Sequence, residues 1–197
     1  YFALCPPSSE WWLVTKKEPV NAKSFRNFMN SLPIAKAKER GLKIMVGGPA
    51  AWQWLYRPDL MSRWGIDTIV DGEGERIVVD LVERAYSEEP LPRYVFVGPG
   101  DVPGIEEIPP IRRPSINGLI EIMRGCPRGC RFCSVTLRPL RHMPLELIEE
   151  EMLVNVREGV RSGILHSEDV LLYGAKGIRL NPDALIKLHQ LARKHWE

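Results

Sequence analysis

Short apolar runs that lead into glycine turns are the feature of this 197-residue chain that most constrains its fold. Three of them occur in the first half: "LKIMVGG", "WGIDTIVDGEGE" and "RYVFVG". Apolar runs of this length, bounded by turn residues, are typical of buried parallel strands. A helical pattern that begins at Glu75 separates the second run from the third. Two short helices are expected before the first run, the second of them between a Ser31 cap and a Gly41 stop. Strands that alternate with helices predict βαβ units.

The second half repeats this alternation after a segment that is rich in proline and glycine. Residues 98–115 hold five prolines and three glycines, a composition that disfavours both helix and strand. A strand pattern, "INGLIEIMRG", follows, then a helix opened by Pro144, a strand in "GILHSED" and a helix that begins at Asn181 and Pro182. We therefore predict an α/β fold with a domain over residues 1–97, a linker over 98–115 and a second domain over 116–197.

The composition is that of an ordinary globular protein. Apolar residues make up 44% of the chain, no apolar run approaches the ~20 residues that span a membrane, and the net charge of +2 is too small to indicate a nucleic-acid partner. Three of the four cysteines are clustered, which does not fit a secreted disulfide framework. This cysteine usage favours a cytoplasmic protein with a metal site, and the lack of a long apolar run predicts no membrane association.

The segment "MRGCPRGCRFCS" places Cys126, Cys130 and Cys133 within eight residues. Thiolates suit zinc, copper(I) and iron–sulfur clusters, but structural zinc sites normally use a second cysteine pair that this sequence does not have. Seven arginines and one acid lie between Arg112 and Arg141. Positive charge stabilises thiolates and an anionic cluster, although a solvated basic surface is the alternative reading of these arginines. The spacing predicts a metal centre with three protein ligands and one vacant position.

A second hypothesis is a non-catalytic metal-binding module that holds zinc or a passive iron–sulfur cluster. Its fourth ligand would be Cys5 or His142, of which the second lies nine residues past Cys133. Both residue types are common metal ligands, so the sequence leaves this alternative open.

The cysteine loop has Phe132 before its last cysteine, a strand pattern before it and a helix pattern after it, and it resembles the radical S-adenosylmethionine (SAM) superfamily. The resemblance implies that Cys126, Cys130 and Cys133 bind three irons of a [4Fe–4S] cluster and that SAM chelates the fourth iron. It implies that one electron from the reduced cluster cleaves SAM to methionine and a 5′-deoxyadenosyl radical, and that Phe132 packs near the adenine. The substrate and the catalytic residues stay unknown, so methyl transfer, sulfur insertion and rearrangement all remain open.

Members of this family hold the SAM amino group with a polar segment at the end of the second barrel strand, and "LHSEDV" occupies that place here. The resemblance makes Ser167, Glu168 and Asp169 the candidate SAM-binding residues, since a carboxylate accepts hydrogen bonds from an ammonium group. The alternative is that these residues only end the strand and cap the next segment. His166 is expected to be a strand residue rather than a ligand.

The first half resembles the C-terminal part of the cobalamin-binding domain that precedes many radical SAM barrels. The resemblance makes Gly47, Gly48, Gly72 and Gly74 candidate cofactor-binding residues, because such glycine turns end parallel strands at the ligand crevice. The family's ligating pattern D-x-H-x-x-G is missing, so the sequence leaves cobalamin binding itself open.

The resemblance covers only part of each family domain, since the sequence shows three or four strands in the first domain and about two βα units in the second. Because the first residue is also Tyr1 rather than Met, we expect the chain to be the middle of a longer enzyme. The implied partners are a small-molecule or other unidentified substrate, an external electron donor and the remainder of the barrel.

Overall fold

The computed structural model describes residues 27–48, 51–56, 58–133 and 138–196, so Cys5 lies outside the described residues. The chain divides into two compact units, Tyr1–Asp101 and Val102–Glu197. This division falls inside the predicted linker, whose residues 102–115 belong to the second unit. Among the described residues, no helix is long and apolar enough to cross a membrane.

The first unit is built on three short parallel strands, β1 (Met45–Val46), β2 (Thr68–Asp71) and β3 (Tyr94–Phe96), in that order across the sheet. Its helices include α1 (Ile34–Lys38), α2 (Pro58–Arg63) and α3 (Val78–Tyr86), with a 3-10 helix at Ala51–Tyr56, and residues 27–31 are also helical. All four residues of the central strand β2 are buried. Burial on both faces explains why the sequence around β2 is a continuous apolar run rather than an alternating one. The three predicted strands of the first half are confirmed.

Two local expectations in this unit are wrong. Pro33 rather than Ser31 is the N-cap of α1, because the Ser31 hydroxyl donates to the carbonyl of Phe28 at 2.7 Å. Helix α3 begins at Val78 rather than Glu75, because the preceding residues form a turn closed by a 3.0 Å hydrogen bond from the N–H of Ile77 to the carbonyl of Gly74.

The second unit contains the strands β4 (Leu119–Glu121), β5 (Met123–Arg124), β6 (Arg141–His142) and β7 (Ile164–His166), and the helices α4 (Leu145–Arg157) and α5 (Pro182–His195). One-turn 3-10 helices occur at Ile105–Glu107, Ile116–Gly118 and Val170–Leu172. Strands β4 and β7 pair in parallel and are connected through α4, which is the predicted βαβ arrangement. Strands β5 and β6 pair antiparallel, so they bring the two ends of the cysteine loop together.

The helices of the second unit start where the sequence predicts. Pro144 is the N-cap of α4, and the side-chain oxygen of Asn181 caps α5 by accepting from the N–H of Ala184 at 3.2 Å. Both helices bury apolar side chains in one core, which includes Ile120, Ile122, Ile148, Met152 and Leu188. Full burial of such a side chain contributes about 1.5–3 kcal/mol, so this core holds α4 and α5 against the strand that precedes the cysteine loop.

The part of the predicted linker that belongs to the second unit has tertiary contacts of its own. Ile105 and Ile108 pack against the core, and the N–H of Ile111 donates to the carboxylate of Glu151 at 3.1 Å. Arg141 donates from its guanidinium to the carbonyl of Pro103 at 2.5 Å. The prolines exclude regular strands here, but the apolar residues between them are available for packing.

Asn155 on α4 hydrogen-bonds to Ser115, at the end of the predicted linker. Replacing Asn155 with leucine is expected to destabilise the second unit. Asn155 is fully buried, accepts hydrogen bonds from the N–H and hydroxyl of Ser115 at 3.0 and 3.2 Å, and donates to the carbonyl of Glu151 at 3.0 Å. Leucine has a similar volume but leaves these partners unpaired, so the free energy of unfolding should fall by about 2–4 kcal/mol. Urea denaturation followed by circular dichroism measures the loss. Ser115→Ala removes only one of the bonds and should cost about 1 kcal/mol; an equal loss in both variants would contradict the assignment.

Candidate metal centre

The three clustered cysteines lie in the loop between β5 and β6. Cys126 is buried, with 8% of its surface exposed, whereas Cys130 and Cys133 are half-buried. All three are free thiols, and the N–H of Cys133 donates to the carbonyl of Cys130 at 3.1 Å. Within the described part of the chain, no three His, Cys, Asp or Glu side chains converge closely enough to hold a metal ion. The fold therefore places the cysteines in one loop without gathering their sulfur atoms around one point.

Gly125 fixes the path by which the chain enters this loop. Its φ is +81°, and a Cβ atom there would lie 2.2 Å from the carbonyl oxygen of Pro139 and 2.7 Å from that of Arg138. Only glycine allows two backbone segments to cross so closely. Gly129 also has a positive φ, +69°, but faces open space. The close crossing just before Cys126, together with three soft thiol donors in one loop, fits an iron–sulfur cluster.

The polar segment that follows β7 lies against the cysteine loop. Arg128, between Cys126 and Cys130 in sequence, donates from Nε to Oδ2 of Asp169 at 2.5 Å. The other carboxylate oxygen of Asp169 accepts from the N–H of Leu171 at 3.2 Å and caps the 3-10 helix Val170–Leu172. The structure thus brings a candidate SAM-binding residue to the loop, and it also shows the capping role that the sequence left as an alternative.

Ser167 and Glu168 complete this segment. The hydroxyl of Ser167 is shielded from solvent and has no hydrogen-bond partner among the described residues. Desolvation raises the pKa of Glu168, and the charge of Glu121 adds to the rise, while backbone N–H groups of Glu168 and Gly125 oppose it by hydrogen bonding to the carboxylate. His166 pairs with Glu121 within the sheet, which confirms it as a strand residue.

Two further side chains near the cysteines, Arg124 and Phe132, differ in their contacts. Arg124 makes two hydrogen bonds to the carboxylate of Glu121, at 2.6 and 2.9 Å, so this guanidinium belongs to an ion pair within the βαβ unit. Phe132 is 81% exposed. An exposed aromatic ring beside Cys133 offers apolar surface to a ligand, and the implied contact with adenine stays a prediction.

The ring of His142 is hydrogen-bonded at both nitrogens. Nδ1 accepts from the N–H of Gly174 at 3.1 Å, and Nε2 lies 3.2 Å from the carbonyl oxygen of Ala175, to which its N–H donates. These two partners assign the neutral tautomer that is protonated at Nε2. Both nitrogens are therefore engaged, which argues against His142 as the fourth metal ligand, and Cys5 lies outside the described residues.

The candidate glycines of the first unit lie at the carboxyl edge of its sheet. Gly47 and Gly48 follow β1, and Gly72 and Gly74 follow β2. A Cβ at Gly72, whose φ is +125°, would lie 2.6 Å from the carbonyl oxygen of Val97, so packing against the chain after β3 already requires glycine there. Gly48 has a φ of +95°, and a Cβ there would meet no atom within 4 Å, so its backbone conformation rather than crowding favours glycine.

A buried acid at the same edge was not singled out from the sequence. Asp71, the last residue of β2, accepts a hydrogen bond from the hydroxyl of Tyr94 at 2.5 Å. Burial, followed by this hydrogen bond and the charge of Asp71, raises the pKa of Tyr94 to about 12. Because Ile69 pairs with Tyr94, the side chains of Asp71 and Tyr94 share one face of the sheet. Strand register is the signal that could have found this pair.

Residues 120–195 match the family model of the Radical SAM superfamily. An uncharacterized protein of Methanopyrus kandleri is 37% identical over 84 residues, which are 38% of this chain and 16% of that protein. The ribosomal protein uS12 methylthiotransferase RimO of Petrotoga mobilis is 37% identical over 82 residues, 39% of this chain and 19% of the relative. A tRNA-2-methylthio-N(6)-dimethylallyladenosine synthase of Staphylococcus saprophyticus is 26% identical over 160 residues, 80% of this chain and 31% of the relative.

The matches to these three curated relatives span 16% to 31% of the relatives' length. The family match contains Cys126, Cys130, Cys133 and the segment from Ser167 to Asp169. The resemblance of the second half to radical SAM proteins is confirmed by this match, whereas the resemblance of the first half to a cobalamin-binding domain stays a prediction.

Proposed function

We propose that residues 116–197 form the first βα units of the barrel of a radical SAM enzyme, and that Cys126, Cys130 and Cys133 bind three irons of a [4Fe–4S] cluster. The observation that supports this most is that the Radical SAM match over residues 120–195 contains all three cysteines. When bound and reduced, the cluster supplies the electron that cleaves SAM. Three ligands from one loop leave one iron without a protein ligand, and that vacancy suits a chelating cofactor.

The chain's own residues shape the site around this donor set. Gly125 allows the backbone to cross next to Pro139, and the burial of Cys126 shields one thiol from solvent. Metal binding releases the thiol protons and pairs the thiolates with cations, so we expect the bound irons to gather the three sulfur atoms, which do not converge among the described residues. The alternative module with His142 as fourth ligand is disfavoured, because both ring nitrogens of His142 are hydrogen-bonded.

We assign Ser167 and Glu168 to hold the amino group of SAM. The Ser167 hydroxyl is shielded and has no partner among the described residues, and an unsatisfied buried polar group costs about 1–3 kcal/mol. A ligand that hydrogen-bonds to it would remove that cost. Asp169 is already occupied by Arg128 and by the N–H of Leu171, so we assign it to the support of the loop instead of to direct contact with SAM.

For the first unit we propose a cobalamin-binding-like domain of Rossmann type. Three parallel strands with glycine turns at one edge support this assignment. All four histidines of the chain, at positions 142, 166, 189 and 195, follow Asp101 in sequence, so residues 1–101 offer no imidazole to cobalt. If this domain binds cobalamin, it does so without a histidine ligand from residues 1–101.

The reaction class is also a proposal. The names of two relatives describe methylthio chemistry, one on a ribosomal protein and one in a tRNA nucleoside. Among methyl transfer, sulfur insertion and rearrangement, we therefore propose sulfur insertion as the first class to test. The reaction needs an external electron donor and the remainder of the barrel.

Anaerobic reconstitution with iron and sulfide, followed by iron, sulfide and zinc analysis, tests the proposed cluster. We expect about four irons and about four sulfides per chain. Stoichiometric zinc with background iron would contradict the proposal and favour the non-catalytic metal-binding module. The comparison is made on the 197-residue chain, so that both units are present.

A further inference from the structure

The first half of the cysteine loop is attached to the segment that follows β7 by an ion pair. Arg128 Nε donates to Asp169 Oδ2 at 2.5 Å across 41 residues of sequence. This attachment lies two residues after Cys126 in sequence and two residues before Cys130.

The described part of the loop also has an internal contact at Cys133. The N–H of Cys133 donates to the carbonyl of Cys130 at 3.1 Å, which is a contact within the loop itself. Asp169, by contrast, is a fixed point, because its Oδ1 caps the 3-10 helix Val170–Leu172 while its Oδ2 accepts from Arg128. A carboxylate held by one oxygen presents the other in a defined direction, so it can position a guanidinium.

We propose that Arg128 and Asp169 form a latch that positions the Cys126–Cys130 half of the cysteine loop beside Ser167. Arg128 and Asp169 are positioning residues in this proposal, which rests on the proposed cluster and SAM site for its functional meaning. With the latch closed, Cys126 stays buried and the loop's first two cysteines stay next to the segment assigned to SAM.

The expected strength of the latch follows from its exposure. The side chains of Arg128 and Asp169 are 45% and 20% exposed, so solvent screens the pair. A partly exposed ion pair changes the equilibrium between the closed and the open loop by about two- to fivefold. Opening of the loop should therefore become roughly two- to fivefold more frequent when the pair is removed.

Alkylation of the metal-free chain reads this opening directly. The full chain is kept anaerobic with an iron chelator, treated with iodoacetamide, and the labelling rate of each cysteine is followed by mass spectrometry. The variants are Arg128→Gln, Asp169→Asn and their combination, and Asp169→Asn keeps an oxygen that can accept from the N–H of Leu171. Arg131→Gln is the matched control, because it removes a guanidinium from the same loop outside the latch.

We expect Cys126 to be alkylated about two- to fivefold faster in each single variant, and no faster in the double variant, since both changes remove one interaction. Arg131→Gln should stay within about 1.5-fold of the native rate, and Arg128→Lys should restore most of the protection because it keeps the ion pair. Equal rates in Arg128→Gln and Arg131→Gln, or multiplied effects in the double variant, would overturn the latch.

A second readout uses the reconstituted chain. Arg128→Gln should raise the SAM concentration that gives half of the change in the electron paramagnetic resonance (EPR) spectrum by about two- to fivefold, with iron content unchanged and with Arg128→Lys close to native. An unchanged SAM dependence would overturn the positioning role. If the native chain binds no iron, the proposed function fails, whereas the alkylation rates of the metal-free chain still decide whether the latch exists.

Discussion

Alanine in place of Cys126, Cys130 or Cys133 is expected to reduce the iron content of the reconstituted chain from about four per chain to background. Each thiolate holds one iron, and no other thiol lies in the loop to replace it. His142 cannot substitute without losing its bonds to the backbone of Gly174 and Ala175. Colorimetric iron and sulfide assays on anaerobically reconstituted protein measure the loss.

Cys5→Ala is the matched control for these variants. It removes a thiol that is separated from the cysteine loop by more than a hundred residues of sequence, so iron and sulfide should stay at the native level. Equal losses of iron in Cys5→Ala and Cys130→Ala would break the assignment of three ligands and would restore the hypothesis in which Cys5 supplies the fourth.

Gly125→Ala is the second change with a large expected effect. The added Cβ would lie 2.2 Å from the carbonyl oxygen of Pro139, and the residue would keep a φ of +81° that alanine disfavours. Because the clash is with backbone atoms and Cys126 belongs to the core of the second unit, we expect a loss of about 3 kcal/mol or more in the free energy of unfolding. Urea denaturation measures this loss, and iron content should fall with it.

Gly129→Ala separates the clash from the backbone conformation. Gly129 lies in the same loop with a φ of +69°, but a Cβ there meets nothing within 4 Å. Alanine at this position should therefore cost only about 1–2 kcal/mol, the penalty for the left-handed conformation. If both variants lost the same stability, the close crossing of Gly125 with Pro139 would not be what fixes the loop.

The elements of the fold were predictable where the sequence pattern has a single physical reading. The sequence around β2 is a short apolar run between turn residues, which is the pattern of a buried parallel strand. The structure buries all four residues of this strand. α5 was equally clear, because Asn181 and Pro182 mark a helix start and Leu188 lies on the buried face. The start of α3 was not, because Glu75 and Ile77 fit a helical pattern as well as the turn that they form.

The candidate site was predictable only for ligands that are close in sequence. The spacing of Cys126, Cys130 and Cys133 predicts a metal-binding loop. The family match over residues 120–195 supports this prediction. The pair of Arg128 with Asp169 spans 41 residues, and no sequence pattern says which acid an exposed arginine will meet. The role of Gly125 could not be predicted from the sequence, since the approach of Pro139 depends on the pairing of β5 with β6.

The central claim is that the three-cysteine loop leaves one iron for SAM. EPR spectroscopy of the reduced, reconstituted chain with and without SAM tests it most directly. The account predicts a spectrum of a reduced [4Fe–4S] cluster that changes when SAM is added, with about four irons per chain in the sample. A spectrum that SAM leaves unchanged, at full iron content, would contradict the vacant coordination site and with it the proposed enzyme.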